Sequence, residues 1–381
     1  MLIYSLTLQN LRNHSFTEIK LGEKLNVIYG LNGSGKTTIL EALSIASITK
    51  SFLPVADSLL INFQQDFYSI FAKGINDLQL PYFVGVKYIS GKRKQINNSY
   101  SENLNPKDVI GEIPIIILSP DFKNITFGTP QDRRQFIDTI LSQASKSYME
   151  DLFELKKCLK QRNNLLSKYQ KEGTLDKMQF EIWTEMLIKT SAEIISKRHQ
   201  FIKEFIPFFK ESYNEVSNGI EQVSLKYLPF HINDFDDEQV YSKEYFIEQN
   251  KKIYSELKYA EMKRGLTLFG PQKDEISINI NNSPAKETAS QGQHKSLLIS
   301  LKFAEFEFLK KIRNETPIIL FDDIFSELDS SRSNHTLELI LKKDAQSIIT
   351  ITENSFIKQI VPQKLNTNYF KVAMGIIEQF E

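Results

Sequence analysis

Four short stretches carry residue types that could do chemistry. Residues 30–37, GLNGSGKT, fit the pattern G-x-x-x-x-G-K-[ST] at every fixed position. In such a loop the backbone N–H groups of Gly30, Leu31, Asn32, Gly33, Ser34 and Gly35 turn inward around phosphate oxygens. Lys36 would bring a point charge to the β- and γ-phosphates, and the Thr37 hydroxyl would ligate Mg²⁺, with Thr38 next along the helix. The second stretch, IILFDD (318–323), ends four apolar residues on Asp322 and Asp323. A buried parallel strand delivers its C-terminal end to a ligand crevice. There Asp322 would help hold Mg²⁺ through water, and Asp323 would orient or deprotonate an attacking water. The third is the polar turn Ser290-Gln291-Gly292-Gln293 ahead of a helical stretch, and the fourth is SELD, ending on Asp329. Alone, Ser290 reads as a helix cap and the aspartates as a solvated strand end. Their order along one chain gives them a joint meaning.

The elements that must position these residues are legible around them. LIYSLTL, FTEIKL and KLNVIYG read as strands by alternation or by apolar runs, and GKTTILEALSIAS as the helix after the loop. FYSIFAKGI, YFVGVKYI and IPIIILSPD read as further strands. From Pro130 to about residue 218 the texture is helical, with an apolar stripe through Phe180, Trp183, Leu187, Ile194 and Phe201 that reads as a packing face. Most of the mixed charges of this region read as solvated helix surface. After about residue 262 strands and helices alternate again: DEISINI, a helix over 292–313, PIILFDD, a helix over 330–343, QSIITIT and NYFKVAMG. The expected fold class is α/β, a P-loop NTPase head of residues 1–121 plus 263–381, interrupted by a mainly α-helical lobe of residues 122–262. No heptad run is long enough for a long coiled coil.

Composition narrows the partners. Lys+Arg and Asp+Glu both number 47, so any nucleic-acid contact must come from a local basic surface. KYISGKRKQ places Lys87, Lys92, Arg93 and Lys94 around a turn, QDRRQ places Arg133 and Arg134 at a helix start, and Arg12 lies in LRN. A basic turn also reads as ordinary solubility, and Arg133 and Arg134 as partners in intramolecular ion pairs. The single cysteine, Cys158, excludes an internal disulfide and reads as packing. The N-terminal MLIYSLTLQN lacks a basic leader, and a cytoplasmic setting is expected.

Phosphate loop, Ser-Gln-Gly-Gln turn, acidic strand end and SELD together resemble the ATP-binding-cassette class of ATPases. That resemblance implies that Ser290, Gln291, Gly292 and Gln293 cap the γ-phosphate of ATP held by a second copy, with Asp329 at the interface of an ATP-dependent homodimer. Six blocks narrow it further: LTLQNLRNHSF with NVIYGLNGSGKTTILEALSIAS, ILSPDFKNITFGTPQDRRQFID, LKQRNNLL, LTLFGPQKDEI, SQGQHKSLLISLKFAE and PIILFDDIFSELDSSR. In this order they are similar to the RecF family of bacterial DNA replication and repair proteins, across nearly the whole chain. The family implies ATP and Mg²⁺ as cofactors, DNA at single-strand gaps and junctions as target, RecO and RecR as partners in loading RecA, and a part in the SOS response.

Three positions depart from what the class implies. Gln272 in GPQKDE stands where the family has a His, so a role of that His does not carry over. Asp323 replaces the Glu of many cassettes, and its shorter side chain implies slow turnover, a switch more than a motor. Past the next strand, where a cassette often has a His, the chain offers Thr350, Thr352 and Asn354. The rival readings are a transporter's ATPase subunit, a chromosome-organising tether and a P-loop kinase. They require, respectively, a membrane partner, a long coiled coil, or a small-molecule acceptor that leaves the Ser-Gln-Gly-Gln turn unexplained.

Overall fold

The computed structural model describes residues 1–217, 219, 221–233, 235–352 and 367–380. The chain divides into two units, Met1–Lys123 with Ile299–Glu381, and Asn124–Leu298.

The first unit opens with β1 (Leu2–Leu11), β2 (His14–Lys20), β3 (Leu25–Tyr29), α1 (Lys36–Ile48), β4 (Phe67–Ile75), β5 (Pro81–Ile89), β6 (Gln95–Asn98) and β7 (Ile115–Leu118). Five of these strands form an antiparallel sheet in the order β2-β1-β4-β5-β6. Alternation decides which face of β4 is covered: Tyr68, Ile70 and Ala72 are buried between less covered neighbours. By contrast, Ile115–Leu118 of β7 are buried without a break, the pattern of a strand covered on both faces.

The second unit runs through α2 (Asn124–Phe127), α3 (Pro130–Ala144), α4 (Lys146–Glu172), α5 (Lys177–Ser217), β8 (Val223–Leu228), α6 (Lys243–Arg264), β9 (Glu275–Ile280), β10 (Ser283–Pro284), α7 (Ala285–Thr288) and the start of α8 (Gln291–Arg313). Ser145 caps α4 by accepting from the Tyr148 N–H at 3.3 Å, and Gly173 ends the helix in the left-handed region at φ 71°. Phe180, Leu187, Ile194 and Phe201 are buried along α5, as their spacing predicts, while Trp183 sits at the rim under the Lys157 ammonium. The strand β8 was not expected in a helical lobe. It pairs antiparallel with β9, so residues 263–298, grouped by sequence with the chain ends, lie in this division with the second unit.

The chain then returns to the first unit with β11 (Ile318–Asp322), α9 (Ser330–Lys342), β12 (Ser347–Ile351), β13 (Thr367–Ala373) and β14 (Ile376–Phe380). Among the described residues the second sheet of this unit has the order β14-β13-β3-β12-β11-β7. All its pairs are parallel except β13 with the edge strand β14. Helix α1 packs against β1, β4 and β5 of one sheet and β11 and β12 of the other. A helix covered on all sides must pair any polar group it carries: every residue of α1 except Thr37 is buried, and its Glu41, Ser44 and Ser47 all make hydrogen bonds. Each fully buried Ile or Leu there is worth about 1.5–3 kcal/mol. No helix of the described residues is long and apolar enough to cross a membrane.

Candidate nucleotide site

The loop between β3 and α1 closes on itself. The Ser34 N–H donates to the Leu31 carbonyl at 3.2 Å, and Lys36 Nζ donates to the carbonyls of Gly30 at 2.7 Å and Leu31 at 3.0 Å. Gly35 stands at φ 113°, a conformation closed to side chains, and an added Cβ would lie 2.5 Å from His14 Nε2. Ser34 Oγ is buried without a hydrogen-bond partner. Burial pushes the Lys36 ammonium below its ordinary value, and the charges of Asp323 and Asp322 work against that shift.

Asp322 ends β11 beside the start of α1. Its Oδ1 accepts from the Thr37 hydroxyl at 2.9 Å and the Thr350 hydroxyl at 2.7 Å. Burial raises the Asp322 carboxyl and these two bonds counter the rise. Asp323 has φ 48°, and its N–H donates to Thr350 Oγ1 at 3.0 Å. The turn therefore aims successive carboxylates differently, at the cost of a left-handed residue. Thr350, at the end of β12, organises both aspartates, a job that its type alone did not announce. Asn354 lies outside the described residues. Behind the loop, Glu41 of α1 is buried and paired with Arg12, with Nε 2.5 Å from Oε2 and Nη2 2.8 Å from Oε1, and it also accepts from Ser51 Oγ at 2.7 Å.

In the second unit Ser290 and Gln293 form a reciprocal cap at the start of α8. Ser290 Oγ accepts from the Gln293 N–H at 3.2 Å, and Gln293 Oε1 accepts from the Ser290 N–H at 2.6 Å. Gln293 Nε2 also donates to Glu221 at 2.5 Å. The His294 ring stacks on Phe127 with centroids 3.5 Å apart. In the first unit Asp329 is exposed and caps α9, accepting from the Arg332 N–H at 3.0 Å. That bond holds its carboxyl below the ordinary value.

The basic candidates divide sharply. Lys92 is exposed at the β5–β6 turn, and Arg93, also exposed, reaches the Asn105 side chain. Lys94 pairs with Asp57 at 2.7 Å. Lys87 lies 4.7 Å above the Phe67 ring. Arg133 is buried in a two-pronged pair with Glu275, both bonds 2.9 Å, and Arg134 donates to the Asp274 carbonyl at 2.5 Å.

Two other arginines, which the sequence reading did not single out, are buried. Arg162 is fully buried against Glu261 at 2.8 Å, with the rings of Phe180, Tyr254 and Phe269 around its guanidinium. Arg198 donates to Asp138, to Asp274 at 3.0 Å and to the Pro271 carbonyl at 2.8 Å. Asp274 also accepts from the Tyr227 hydroxyl and the Phe230 N–H. The GPQKDE block is thus part of a buried network, in which Gln272 Nε2 donates to the Phe269 carbonyl at 2.6 Å. Cys158 is buried, and burial pushes its thiol up to about 11, far from a nucleophile's range.

A family model described as an AAA domain matches residues 5–360. The chain is 35% identical to DNA replication and repair protein RecF of Chloroherpeton thalassium, over 93% of this chain and 95% of that one. It is 32% identical to RecF of Shouchella clausii, over 100% of both. Among solved structures it is similar to the recombination mediator protein RecF-ATPrS in the RecFOR pathway, with TM-score 0.90 and 26% identity over 100% of this chain and 98% of that one. An Smc head bound to the C-winged helix domain of ScpA has TM-score 0.54 at 13% identity over 100% of this chain and 97% of that one, a likeness of fold alone.

Proposed function

The chain belongs to the RecF family of DNA replication and repair proteins, and from that premise we propose that it is an ATP-switched DNA-binding protein of recombinational repair. The observation that carries this reading is the meeting of Lys36, Thr37 and Asp322 at one end of the parallel sheet. The donor set fits a magnesium nucleotide: an ammonium, a hydroxyl and a buried carboxylate, with the orphaned Ser34 Oγ inside the loop. Thr37 would ligate the metal directly and Asp322 through water. When bound, the metal would neutralise charge on the transferred phosphoryl group. Gly30 to Gly35 would cradle the phosphates, with Thr38 beside them. Lys36 would leave its own loop carbonyls for the β- and γ-phosphates. Asp323 would orient or deprotonate the attacking water, held by Thr350 in the left-handed turn.

In this reading Ser290, Gln291, Gly292 and Gln293 cap the γ-phosphate of ATP on a second copy, and Asp329 lies at that interface. Ser290 already presents a capped helix start, which supports the assignment. ATP then closes a homodimer on DNA at gaps and single-strand–duplex junctions, in a cytoplasmic setting, with RecO and RecR as partners. Turnover is slow, because Asp323 is one methylene shorter than a glutamate. Of the basic candidates, Lys92 and Arg93 have the exposure to meet DNA phosphates, while Arg12, Lys94, Arg133 and Arg134 are committed within the chain.

Fluorescence anisotropy of a gapped duplex, with and without Mg-ATP, tests the reading. Binding tightened by ATP in the wild type and unresponsive in Lys36→Arg and Ser290→Arg is the expected result. Equal binding with and without nucleotide overturns the switch.

A further inference from the structure

The carbonyls of the phosphate loop are held from outside by two β-turns from distant parts of the first unit. The Ser34 carbonyl accepts from Asn13 Nδ2 at 2.9 Å and from the Gly375 N–H at 2.9 Å. The Gly35 carbonyl pairs with His14 Nε2 at 3.0 Å. His14 Nδ1 lies 2.8 Å from Thr17 Oγ1, and the Thr17 hydroxyl reaches the Gly375 carbonyl at 3.2 Å. Loop, β1–β2 turn and β13–β14 turn thus meet at the Ser34 and Gly35 carbonyls. Gly375 fits because a Cβ there would overlap the Asn13 carbonyl.

Peptide planarity gives these two anchored carbonyls a consequence. In a trans peptide the carbonyl and the following N–H point opposite ways. The Ser34 carbonyl is rigidly tied to the Gly35 N–H, and the Gly35 carbonyl to the Lys36 N–H. Holding both carbonyls against Asn13, His14 and Gly375 fixes both N–H groups on the opposite face of the loop, where successive N–H groups make an anion site. A carbonyl can only accept, so His14 Nε2 carries a proton. Burial also keeps the ring below its ordinary pKa, and in the neutral ring Nδ1 takes the Thr17 hydroxyl proton, so the 3.2 Å approach of that hydroxyl to the Gly375 carbonyl carries none.

We propose that Asn13 and His14 are positioning residues for nucleoside di- and triphosphates, acting through the Ser34 and Gly35 carbonyls, with the Gly375 turn as a third arm. This rests on the nucleotide-binding reading of the loop. Neither side chain touches the nucleotide; each holds part of the surface that does.

The test is calorimetric titration with Mg-ATP and Mg-ADP of the wild type, Asn13→Ala, His14→Ala, His14→Gln and Lys36→Ala, with a thermal melt of each variant. His14→Ala loses the bond to the Gly35 carbonyl and Asn13→Ala those to the Gly33 and Ser34 carbonyls, and each is expected to weaken both nucleotides about three- to tenfold. His14→Gln keeps an N–H donor and is expected within about twofold of the wild type, a rescue that cavity filling alone would not give. Because Asn13 is exposed, Asn13→Ala decides the matter should His14→Ala fail to fold. Folded alanine variants that bind both nucleotides as the wild type does overturn the proposal. A wild type that binds neither sinks the parent reading and the proposal with it.

Discussion

The phosphate loop of the first unit and the arginine network of the second both gather charge, and they treat it oppositely. In the network each charge is closed. Arg198 meets two aspartates and a carbonyl, and Asp274 has three donors, Arg198, the Tyr227 hydroxyl and the Phe230 N–H. Arg162 is walled in by three rings. At the loop the charges are left partly open: Lys36 rests on two carbonyls of its own loop, and Ser34 Oγ has no partner. Several backbone positions there, Gly33, Gly35 and Asp323 among them, have φ in the left-handed region. A buried charge with all its bonds made holds a fold, whereas a charge held by its own loop is in reserve for something else.

Mutation should separate the two regions. Arg198→Ala leaves Asp138 and Asp274 without their cation, and chemical denaturation should show a loss of about 3–5 kcal/mol. If the second unit tolerates it, the network is not what holds that unit. Lys36→Ala should cost about 1.5–3 kcal/mol of Mg-ATP affinity in a titration, the value of a charge-assisted bond, with the unliganded melting temperature nearly unchanged. A large fall in that melting temperature would erase the contrast.

Acidity should sharpen it. Burial raises Asp274 from 3.8 to about 6. Between those values the folded chain holds a proton that the unfolded chain has lost. The stability due to this group therefore falls as pH rises through that window and is level above it. Subtracting an Asp274→Asn denaturation series from the wild type should isolate that slope, and an absent slope would mean that Arg198 fully offsets the burial. The smallest effect belongs to the surface. Lys92→Gln should leave stability within about 0.5 kcal/mol and lower the salt slope of DNA binding by about one ion. An unchanged slope removes Lys92 from the DNA surface.

The two regions also differ in how far sequence reveals them. The loop is legible because its chemistry is local: glycines, Lys36 and Thr37 are neighbours in the chain, and IILFDD announces its own buried strand. What supports the loop is not local. Asn13, His14, Thr350 and Gly375 come from three other turns or strand ends, and no spacing rule connects them. Arg162 and Arg198 were illegible for another reason. A charged residue on a helix reads as solvated unless its partner is known, and Glu261 and Asp274 lie far along the chain. The strand β8 escaped because VSLKYL is short and set among helices, though its alternation was present.

The order of the parallel sheet bears on how the protein is made. The strand leading into the phosphate loop, β3, takes its two neighbours, β12 and β13, from the far end of the chain. During synthesis it must wait, apolar on both faces, until nearly the whole chain has left the ribosome. The second unit is one continuous segment with its pairing partners close at hand. Closing the first unit's sheet is thus the non-local, slow step, and a ribosome stalled before Ser347 would carry a chain with its loop sequence present and its nucleotide site unbuilt.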